Sequence, residues 1–355
     1  MNARRALKYR GEQERRRFFV GVAVDASCST ATATIVAATG RGLDARFEVA
    51  SHAVEEVPPS ATDIYCRLAR GECRRPTEIA VLAAQLAEVQ AVAINRLSAL
   101  EVDVWPRVLL VGIADPGLWS FESPSSRSDM PELPDYVCLS DAARLAELVA
   151  LNIVDAFPAR DVAHGGQGRP LDAIPLWLLA HHPQANRLLC QLEPTPRAIF
   201  LPASRDESGA ARIELLQWES EADLRGWLGD CLGSTAPVDT LRMSSARGGK
   251  AALAMDELVL LGPGFGWIDQ VNLRPVQVID DVQLGVPVAL LPAATAALLA
   301  MLHIDQVPGN LPMFTGAAAP RVLGRLTPGG AQSWNRLLRD LAFVRPLVTP
   351  LRAVI

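Results

Sequence analysis

Four residues near the middle of the chain have the composition of a ligand-binding turn. They read Gly165-Gly166-Gln167-Gly168. Adjacent glycines permit positive φ angles and let a ligand approach the backbone closely, and the Gln167 amide offers both a donor and an acceptor. The turn predicts either a contact with a polar ligand or a tight turn in which Gln167 bonds to a neighbouring loop.

A second set of polar residues follows the first apolar run, residues 18–24. That run is typical of a buried strand. Between positions 25 and 32 the chain carries Asp25, Ser27, Ser29 and Thr32. Hydroxyl groups donate hydrogen bonds to an anion, but the Asp25 carboxylate repels it, and hydroxyls do not neutralise a divalent cation. The run predicts an anion-contacting loop or, alternatively, a strand-turn-strand without a ligand.

Composition limits the classes of protein that this chain fits. Its 355 residues are 50% hydrophobic and 21% charged, and this length favours two domains. A net charge of -5 gives no basic face for nucleic acid. The six cysteines have no Cys-x-x-Cys spacing, so neither a disulfide framework nor a metal site is expected. No signal-peptide core follows the start, which favours a cytoplasmic location.

Periodicity predicts alternating strands and helices. Strands are expected at 18–24, 32–38, 45–50, 107–113, 152–154, 198–202, 213–217 and 257–261, and helices at 78–100, 141–150, 172–182 and 220–232. Ser140 is the predicted cap of the helix at 141–150, and residues 120–134 are predicted to form a surface loop. The apolar run 286–302 contains two prolines and predicts a buried helix starting near Pro292, in place of a membrane span.

Two segments carry a resemblance to a known family. Residues 160–171 read Arg-Asp-Val-Ala-His-Gly-Gly-Gln-Gly-Arg-Pro-Leu, and residues 308–324 read Pro-Gly-Asn-Leu-Pro-Met-Phe-Thr-Gly-Ala-Ala-Ala-Pro-Arg-Val-Leu-Gly. With these segments the chain resembles the anhydro-N-acetylmuramic acid kinases of bacterial cell-wall recycling. The resemblance implies a kinase that uses ATP and Mg²⁺ to open the 1,6-anhydro bond of the sugar and phosphorylate it. It also implies an α/β, two-domain actin-like ATPase (ribonuclease H-like) fold with a central cleft, and a homodimer.

The resemblance also implies roles for particular residues. The sugar contacts would come from Gly165, Gly166, Gln167 and Gly168, the acid–base group from Asp155 or Asp161, and the nucleotide contacts from Asp25, Ser27, Ser29, Thr32, Gly262 and Gly264. No residue is expected to ligate a metal directly.

Several chemical groups of the family are missing here. The family turn after the first strand reads Gly-Thr-Ser-x-Asp-Gly-x-Asp, and only Ser27 remains of it. The family aspartate that activates water corresponds to Ala156, and Asp155 stands one residue earlier. Side chains alternate along an extended segment, so Asp155 is expected to point away from the base position unless a bulge restores it. Because catalytic groups act as a unit, activity is expected to be weak or lost.

The expected organisation is a basic tail at 1–17, a first actin-like domain at 18–140 and a second at 141–355, with the C-terminal helix able to pack back on the first. Three functions stay open: a divergent but working sugar kinase, a non-catalytic sugar-binding or regulatory relative, and a structural relative with a vestigial cleft. Whether the chain is an enzyme is thus undecided from its sequence. The expected partners are an anhydro amino sugar and a second copy of the chain, without nucleic acid or membrane.

Overall fold

The fold is described from a computed structural model, over residues 16–72, 75–120, 135–192, 196–203, 213–218, 220–233, 241–244, 250–253, 255–266 and 276–342. The chain divides into two compact units. Among the described residues, unit 1 extends to Pro175 and resumes at Pro292, and unit 2 is Leu176–Leu291. Both units mix strands with helices, so the α/β class expected from the sequence is confirmed.

The strands, in chain order, are β1 (Arg16–Val24), β2 (Thr30–Thr39), β3 (Arg46–Glu56), β4 (Val108–Ala114), β5 (Leu118–Ser120), β6 (Asp135–Val137), β7 (Ile153–Asp155), β8 (Arg187–Gln191), β9 (Arg197–Leu201), β10 (Glu214–Gln217), β11 (Leu241–Ser244), β12 (Lys250–Leu253), β13 (Glu257–Leu261), β14 (Gln277–Asp280) and β15 (Arg325–Thr327). The helices are α1 (Pro59–Ala69), α2 (Pro76–Leu100), α3 (Ala142–Val149), α4 (Phe157–Val162), α5 (Ala173–Ala180), α6 (Glu221–Gly233), α7 (Leu291–Ile304), α8 (Pro312–Thr315) and α9 (Ala331–Ala342).

Unit 1 is built on a six-stranded sheet in the order β15-β7-β4-β1-β2-β3. Strands β1, β2 and β3 form an antiparallel meander close to the three strands predicted there, and β4 and β7 continue the sheet in parallel with β1. Strand β7 lies beside β4 in this sheet, and unit 1 continues to Pro175. The carboxyl ends of β1, β4 and β7 meet at one edge of the sheet, and the polar residues that follow them lie there.

Helix α7 packs unusually close to the centre of this sheet. Gly21 of β1 and Gly112 of β4 are paired neighbours, so together they leave a shallow depression on the sheet. A Cβ atom at Gly21 would overlap the carbonyl oxygen of Ala293, and one at Gly112 would overlap that of Ala296. The helix that was predicted to start near Pro292 therefore rests with its backbone directly on two strands.

Helix α2 covers the meander. Its apolar residues Leu82, Leu86, Ile94 and Leu97 are buried in the cores of unit 1, as their helical spacing predicts. Within the described residues α2 is also the one helix long and apolar enough to cross a membrane by length and composition, and 44% of its most apolar window is buried inside the protein. Burial against a sheet is the ordinary reason for such a helix in a protein core.

A buried ion-pair network fastens the start of β1. Arg17 donates from both terminal nitrogens to Asp305, at 2.8 Å each, and Arg41 donates to Asp305 and Asp340 at 3.1 and 3.0 Å. Arg17 is only 4% exposed, so its assignment to the basic tail predicted at residues 1–17 is wrong. Strand β1 begins at Arg16, because Arg17 finds two carboxylates inside the fold; residues 1–15 of the predicted tail lie outside the described residues.

Unit 2 contains a five-stranded sheet in the order β10-β9-β8-β13-β14. Strands β8, β9 and β10 are antiparallel neighbours, and β13 and β14 run parallel to β8. The sheet of unit 2 thus repeats the order and direction of β3-β2-β1-β4-β7 in unit 1.

Some local predictions differ from the structure. Helices α1 and α4 and strand β8 were not predicted. Strands β5 and β6 pair with each other at the two ends of the predicted loop 120–134. Residues 121–134 of that loop lie outside the described residues. The cap of α3 is Asp141, whose carboxylate accepts from the Arg144 amide at 3.0 Å. Ser140 is not the cap, because its hydroxyl donates to Asp115 instead.

Candidate functional site

The β1–β2 turn, residues 25–30, is organised around the carboxylate of Asp25. This carboxylate accepts hydrogen bonds from the Ser27 and Ser29 hydroxyls, both at 2.6 Å, and from the amides of Ser29 and Thr30 at 2.6 and 2.9 Å. Partial burial acts to raise the pKa of Asp25, but the hydrogen bonds from Ser27, Ser29 and Thr30 outweigh it and lower the pKa below its usual value. Thr32 lies beyond the turn, within β2, and takes no part in this arrangement.

Asp155 ends β7 with its side chain fully buried. Arg325 of β15 donates from Nε to one carboxylate oxygen at 3.1 Å and from a terminal nitrogen to the other at 2.6 Å. The Asp155 side chain is 0% exposed and that of Arg325 is 64% exposed, so the arginine covers the carboxylate from the solvent side. Hydrogen bonding to Asp155 raises the pKa of Arg325. The next residue, Ala156, has a left-handed backbone with φ 57° and turns the chain into α4.

Asp161 is the hub of a buried network below the glycine-rich turn. One of its carboxylate oxygens accepts from Asn310 Nδ2 at 2.6 Å and from Thr315 Oγ1 at 3.0 Å, and the other accepts from the Gly168 amide at 2.9 Å. Asp161 and Thr315 are 0% exposed and Asn310 is 1% exposed. Through Asp161 the two segments that carry the family resemblance are joined to each other.

The turn at 165–168 presents one polar side chain to solvent. Gly165 and Gly168 have φ angles of 80° and 70°, and a Cβ at Gly166 would overlap the Asp161 carboxylate. The backbone N–H of Gln167 donates to the carbonyl oxygen of Thr315 at 2.7 Å. The Gln167 side chain is exposed and has no hydrogen-bond partner among the described residues. Backbone bonds therefore hold the turn without the Gln167 side chain.

Asp115, which sequence reasoning did not select, follows β4 directly. It accepts from the Tyr136 hydroxyl, from Ser140 Oγ at 2.9 Å and from the Leu139 amide at 3.0 Å. Burial raises the pKa of Asp115 above its usual value, although these hydrogen bonds act in the opposite direction. Its position after a strand parallel to β1 was the available signal, because polar residues at the carboxyl ends of adjacent parallel strands share one sheet edge.

Trp119 lies between this cluster and the glycine-rich turn. Its ring centroid is 4.5 Å from that of Tyr136, and the guanidinium of Arg169 lies 5.1 Å from its ring. A Cβ at Gly168 would meet the Trp119 ring, so the turn depends on glycine there. Desolvation lowers the pKa of Arg169. An aromatic ring and a guanidinium therefore border the turn that carries Gln167.

In unit 2, Gly262 and Gly264 form a turn after β13 with φ angles of 92° and 96°. The Gly264 carbonyl accepts from Arg225 of α6 at 3.1 Å, and a Cβ at Gly264 would meet Leu192. The positive φ angles favour glycine at both positions, and close packing against Leu192 also requires it at Gly264.

No metal-binding arrangement occurs within the part of the chain that the structure describes. No three His, Cys, Asp or Glu side chains converge there as ligands would. Cys28, Cys66, Cys138 and Cys190 are free thiols. Burial, together with the nearby Asp25 and Cys66, raises the pKa of Cys28 to about 12, so this thiol stays protonated.

Known kinases share part of this sequence. The model of the anhydro-N-acetylmuramic acid kinase family matches residues 268–329. The anhydro-N-acetylmuramic acid kinase of Bordetella avium is 31% identical over 260 residues, which cover 56% of this chain and 70% of that protein. That of Bordetella petrii is 29% identical over 266 residues, covering 56% and 69%, and that of Cupriavidus metallidurans is 28% identical over 257 residues, covering 52% and 67%.

Proposed function

Because this chain is a divergent member of the anhydro-N-acetylmuramic acid kinase family, we propose that it binds an anhydro amino sugar while its own phosphotransfer activity is weak or lost. The kinase relationship and the link to amino-sugar metabolism and peptidoglycan recycling come with the family. The loss of activity is inferred from the arrangement of this chain's own residues.

The observation that carries the proposal is the pairing of Asp155 with Arg325. A general base must lie within hydrogen-bond distance of the proton that it removes, and it needs a free lone pair to accept that proton. Asp155 has no solvent-exposed surface, and both of its oxygens bond to one guanidinium. Ala156, the first residue after β7, carries no functional group. No base is therefore presented at the end of β7.

The predicted acid–base role of Asp161 is a weaker proposal than a structural role. Its two oxygens already accept three hydrogen bonds from buried donors. A carboxylate that moved to meet a substrate would leave these donors unpaired, at about 1–3 kcal/mol each. Asp161 is therefore better suited to holding the glycine-rich turn than to moving protons.

The residues at the nucleotide end do not suit ATP and Mg²⁺. In the β1–β2 turn the donors that would face phosphate already face Asp25, and the one carboxylate available for a metal bonds to both serine hydroxyls. We propose that nucleotide binding is weak or absent, that the Ser27 and Ser29 hydroxyls bond to Asp25 in place of a nucleotide, and that Thr32, Gly262 and Gly264 have backbone roles only.

The sugar end is better preserved. Gln167 offers its exposed amide from a turn that backbone bonds and Asp161 hold in place. A planar amide on a rigid turn suits the hydroxyl and acetamido groups of an amino sugar, because it donates and accepts in one plane. We place the sugar contact at Gly165, Gly166, Gln167 and Gly168.

The proposed architecture is the two-domain actin-like fold with a central cleft, with the boundary predicted at residue 140 and the C-terminal helix returning to the first domain. It is supported by the shared strand order of the two sheets, each with a three-stranded antiparallel meander followed by two parallel strands. A homodimer and a cytoplasmic location, without nucleic acid or membrane, are proposed with it.

Two measurements test the proposal. Calorimetric titration with anhydro-N-acetylmuramic acid should give binding that Gln167→Ala weakens at least tenfold, since a hydrogen-bonding side chain is lost from the site. An assay of ATP consumption with the same sugar and Mg²⁺ should give no turnover above background. Absence of sugar binding would contradict the binding function, and turnover at rates typical of enzymes, about 1 s⁻¹ or more, would contradict the loss of activity.

Ala156→Asp provides a complementary gain-of-function test. Aspartate tolerates the left-handed backbone found at this position, so the change restores a carboxylate without disturbing the Asp155–Arg325 pair. Ala163→Asp, an exposed position after α4, is the matched control for added charge. We expect neither variant to turn over ATP, because the nucleotide end is blocked independently of the base. Turnover in Ala156→Asp alone would show that the missing base was the whole defect.

A further inference from the structure

We propose that Asp25 is the resident anion of the β1–β2 turn: its carboxylate occupies a phosphate-binding position and closes the turn to phosphate. The inference rests on the proposed function and deepens it, since it names the residue that governs the nucleotide end of the site.

The donors of the turn define the position. Two backbone amides, from Ser29 and Thr30, and two hydroxyls, from Ser27 and Ser29, converge on the Asp25 carboxylate at 2.6–2.9 Å. Successive backbone amides in a turn, supplemented by hydroxyls, are the donor set with which proteins bind phosphate oxygens. Here the same set is fully used by an anion that belongs to the chain.

The turn keeps its shape by bonds that do not involve this carboxylate. The Asp25 amide donates to the Thr30 carbonyl at 3.0 Å, and Thr62 Oγ1 of α1 donates to the Cys28 carbonyl at 2.6 Å. Cys28 is fully buried, with φ 53°, and anchors the middle of the turn in the core. Removing the carboxylate should therefore leave the donors in place and vacate the position.

Competition with external phosphate favours Asp25. A tethered group on a short connection has an effective concentration in the millimolar range or above, and Asp25 is attached directly to the turn that it fills. Its lowered pKa keeps it ionised at neutral pH. An external phosphate would have to displace this carboxylate and then remain beside its charge, which is repulsive.

The experiment compares inorganic phosphate binding to wild type and Asp25→Ala by calorimetric titration. We expect Asp25→Ala to bind phosphate at least tenfold more tightly than wild type. Asp25→Asn keeps the position filled with a neutral group of the same size, and should bind phosphate more weakly than Asp25→Ala. Equal affinity of Asp25→Ala and wild type would overturn the proposal.

Two controls locate the effect. Asp223→Ala removes an equal charge from unit 2, where Asp223 accepts from the Ser220 hydroxyl at 2.6 Å, and should leave phosphate affinity unchanged. Adding Ser27→Ala and Ser29→Ala to Asp25→Ala removes two of the four donors and should reduce the gain, because only the two backbone amides remain. A gain in Asp223→Ala, or a gain that is undiminished by the loss of both serine hydroxyls, would show binding elsewhere and refute the assignment.

Amide hydrogen exchange on the wild-type protein keeps the proposal testable if Asp25→Ala does not fold. Bonding to Asp25 should protect the Ser29 and Thr30 amides, although both lie in a surface turn. Exchange of both at the rate of an unstructured peptide would show that the carboxylate does not hold them. The outcome is independent of sugar binding and of ATP turnover, so failure of this inference and failure of the proposed function are distinguishable.

Discussion

Asp161→Ala should lower the stability of unit 1 severely. The change removes the acceptor of three buried donors, on Asn310, Thr315 and Gly168, at distances of 2.6, 3.0 and 2.9 Å. Each unpaired buried donor costs about 1–3 kcal/mol, and water entering the vacated space offsets part of the sum. We expect a loss of about 4 kcal/mol. For a unit of about 150–250 residues, this corresponds to a fall in melting temperature of roughly 8–16 °C.

The assay is thermal unfolding followed by circular dichroism and calorimetry, so that separate melting of the two units is detected. Asp141→Ala is the matched control: it removes a carboxylate that caps α3 through one hydrogen bond to the Arg144 amide, and should cost about 1 kcal/mol. Asp161→Asn keeps the volume but turns an –NH₂ group toward a donor, so it should fall between the two. Melting of Asp161→Ala within about 2 °C of wild type would refute the structural role and return Asp161 to the acid–base candidates.

Three further predictions concern packing, the buried ion pairs and pH. Gly112→Ala should lower the free energy of unfolding, measured in urea, by about 3 kcal/mol, because the new methyl group meets the backbone of α7. Gly226→Ala in α6 has no atom within 4 Å of its new methyl group and should stabilise by up to about 1 kcal/mol. Equal effects of the two changes would contradict the packing. Asp305→Ala should cost about 3–5 kcal/mol because Arg17 and Arg41 must then share one buried carboxylate, Asp340, and a loss below about 1 kcal/mol would contradict this. Burial lowers the pKa of His303, so the unfolded chain binds the proton more readily than the folded protein. The free energy of unfolding should therefore fall as the pH drops below about 6.5 toward the folded-state pKa. His303→Gln should flatten that part of the pH profile, and an unchanged profile would exclude His303.

Much of the fold follows from local pattern. The meander, α2 and α7 were predictable because continuous apolar runs and helical spacing of apolar residues reflect burial on the sheet. Helix α4 was missed because its six residues, Phe157–Val162, are too few for periodicity to register. The cap of α3 was misassigned by one residue, because Ser140 and Asp141 are both good caps and only the competing bond to Asp115 decides between them.

The segments that form the candidate site could be predicted from the sequence, but the contacts between residues of different segments could not. The sequence identifies the glycine-rich turn and the two aspartates nearby, yet it contains no signal that Arg325, 170 positions from Asp155, covers that carboxylate. The same holds for Asn310 and Asp161, which meet through the fold alone. Whether a carboxylate is exposed and reactive or buried and paired depends on such long-range neighbours.

The glycine pair beneath α7 has an evolutionary consequence. Neither Gly21 nor Gly112 accepts even one methyl group while α7 stays in place, and the first replacement would push the helix off both strands. The β1–β2 turn is under no such constraint, since an aspartate there completes its own hydrogen bonds. A lineage released from selection for catalysis should therefore accumulate substitutions in the turn long before it changes the two glycines. The helix packing of this fold should then persist after the catalytic residues have been replaced.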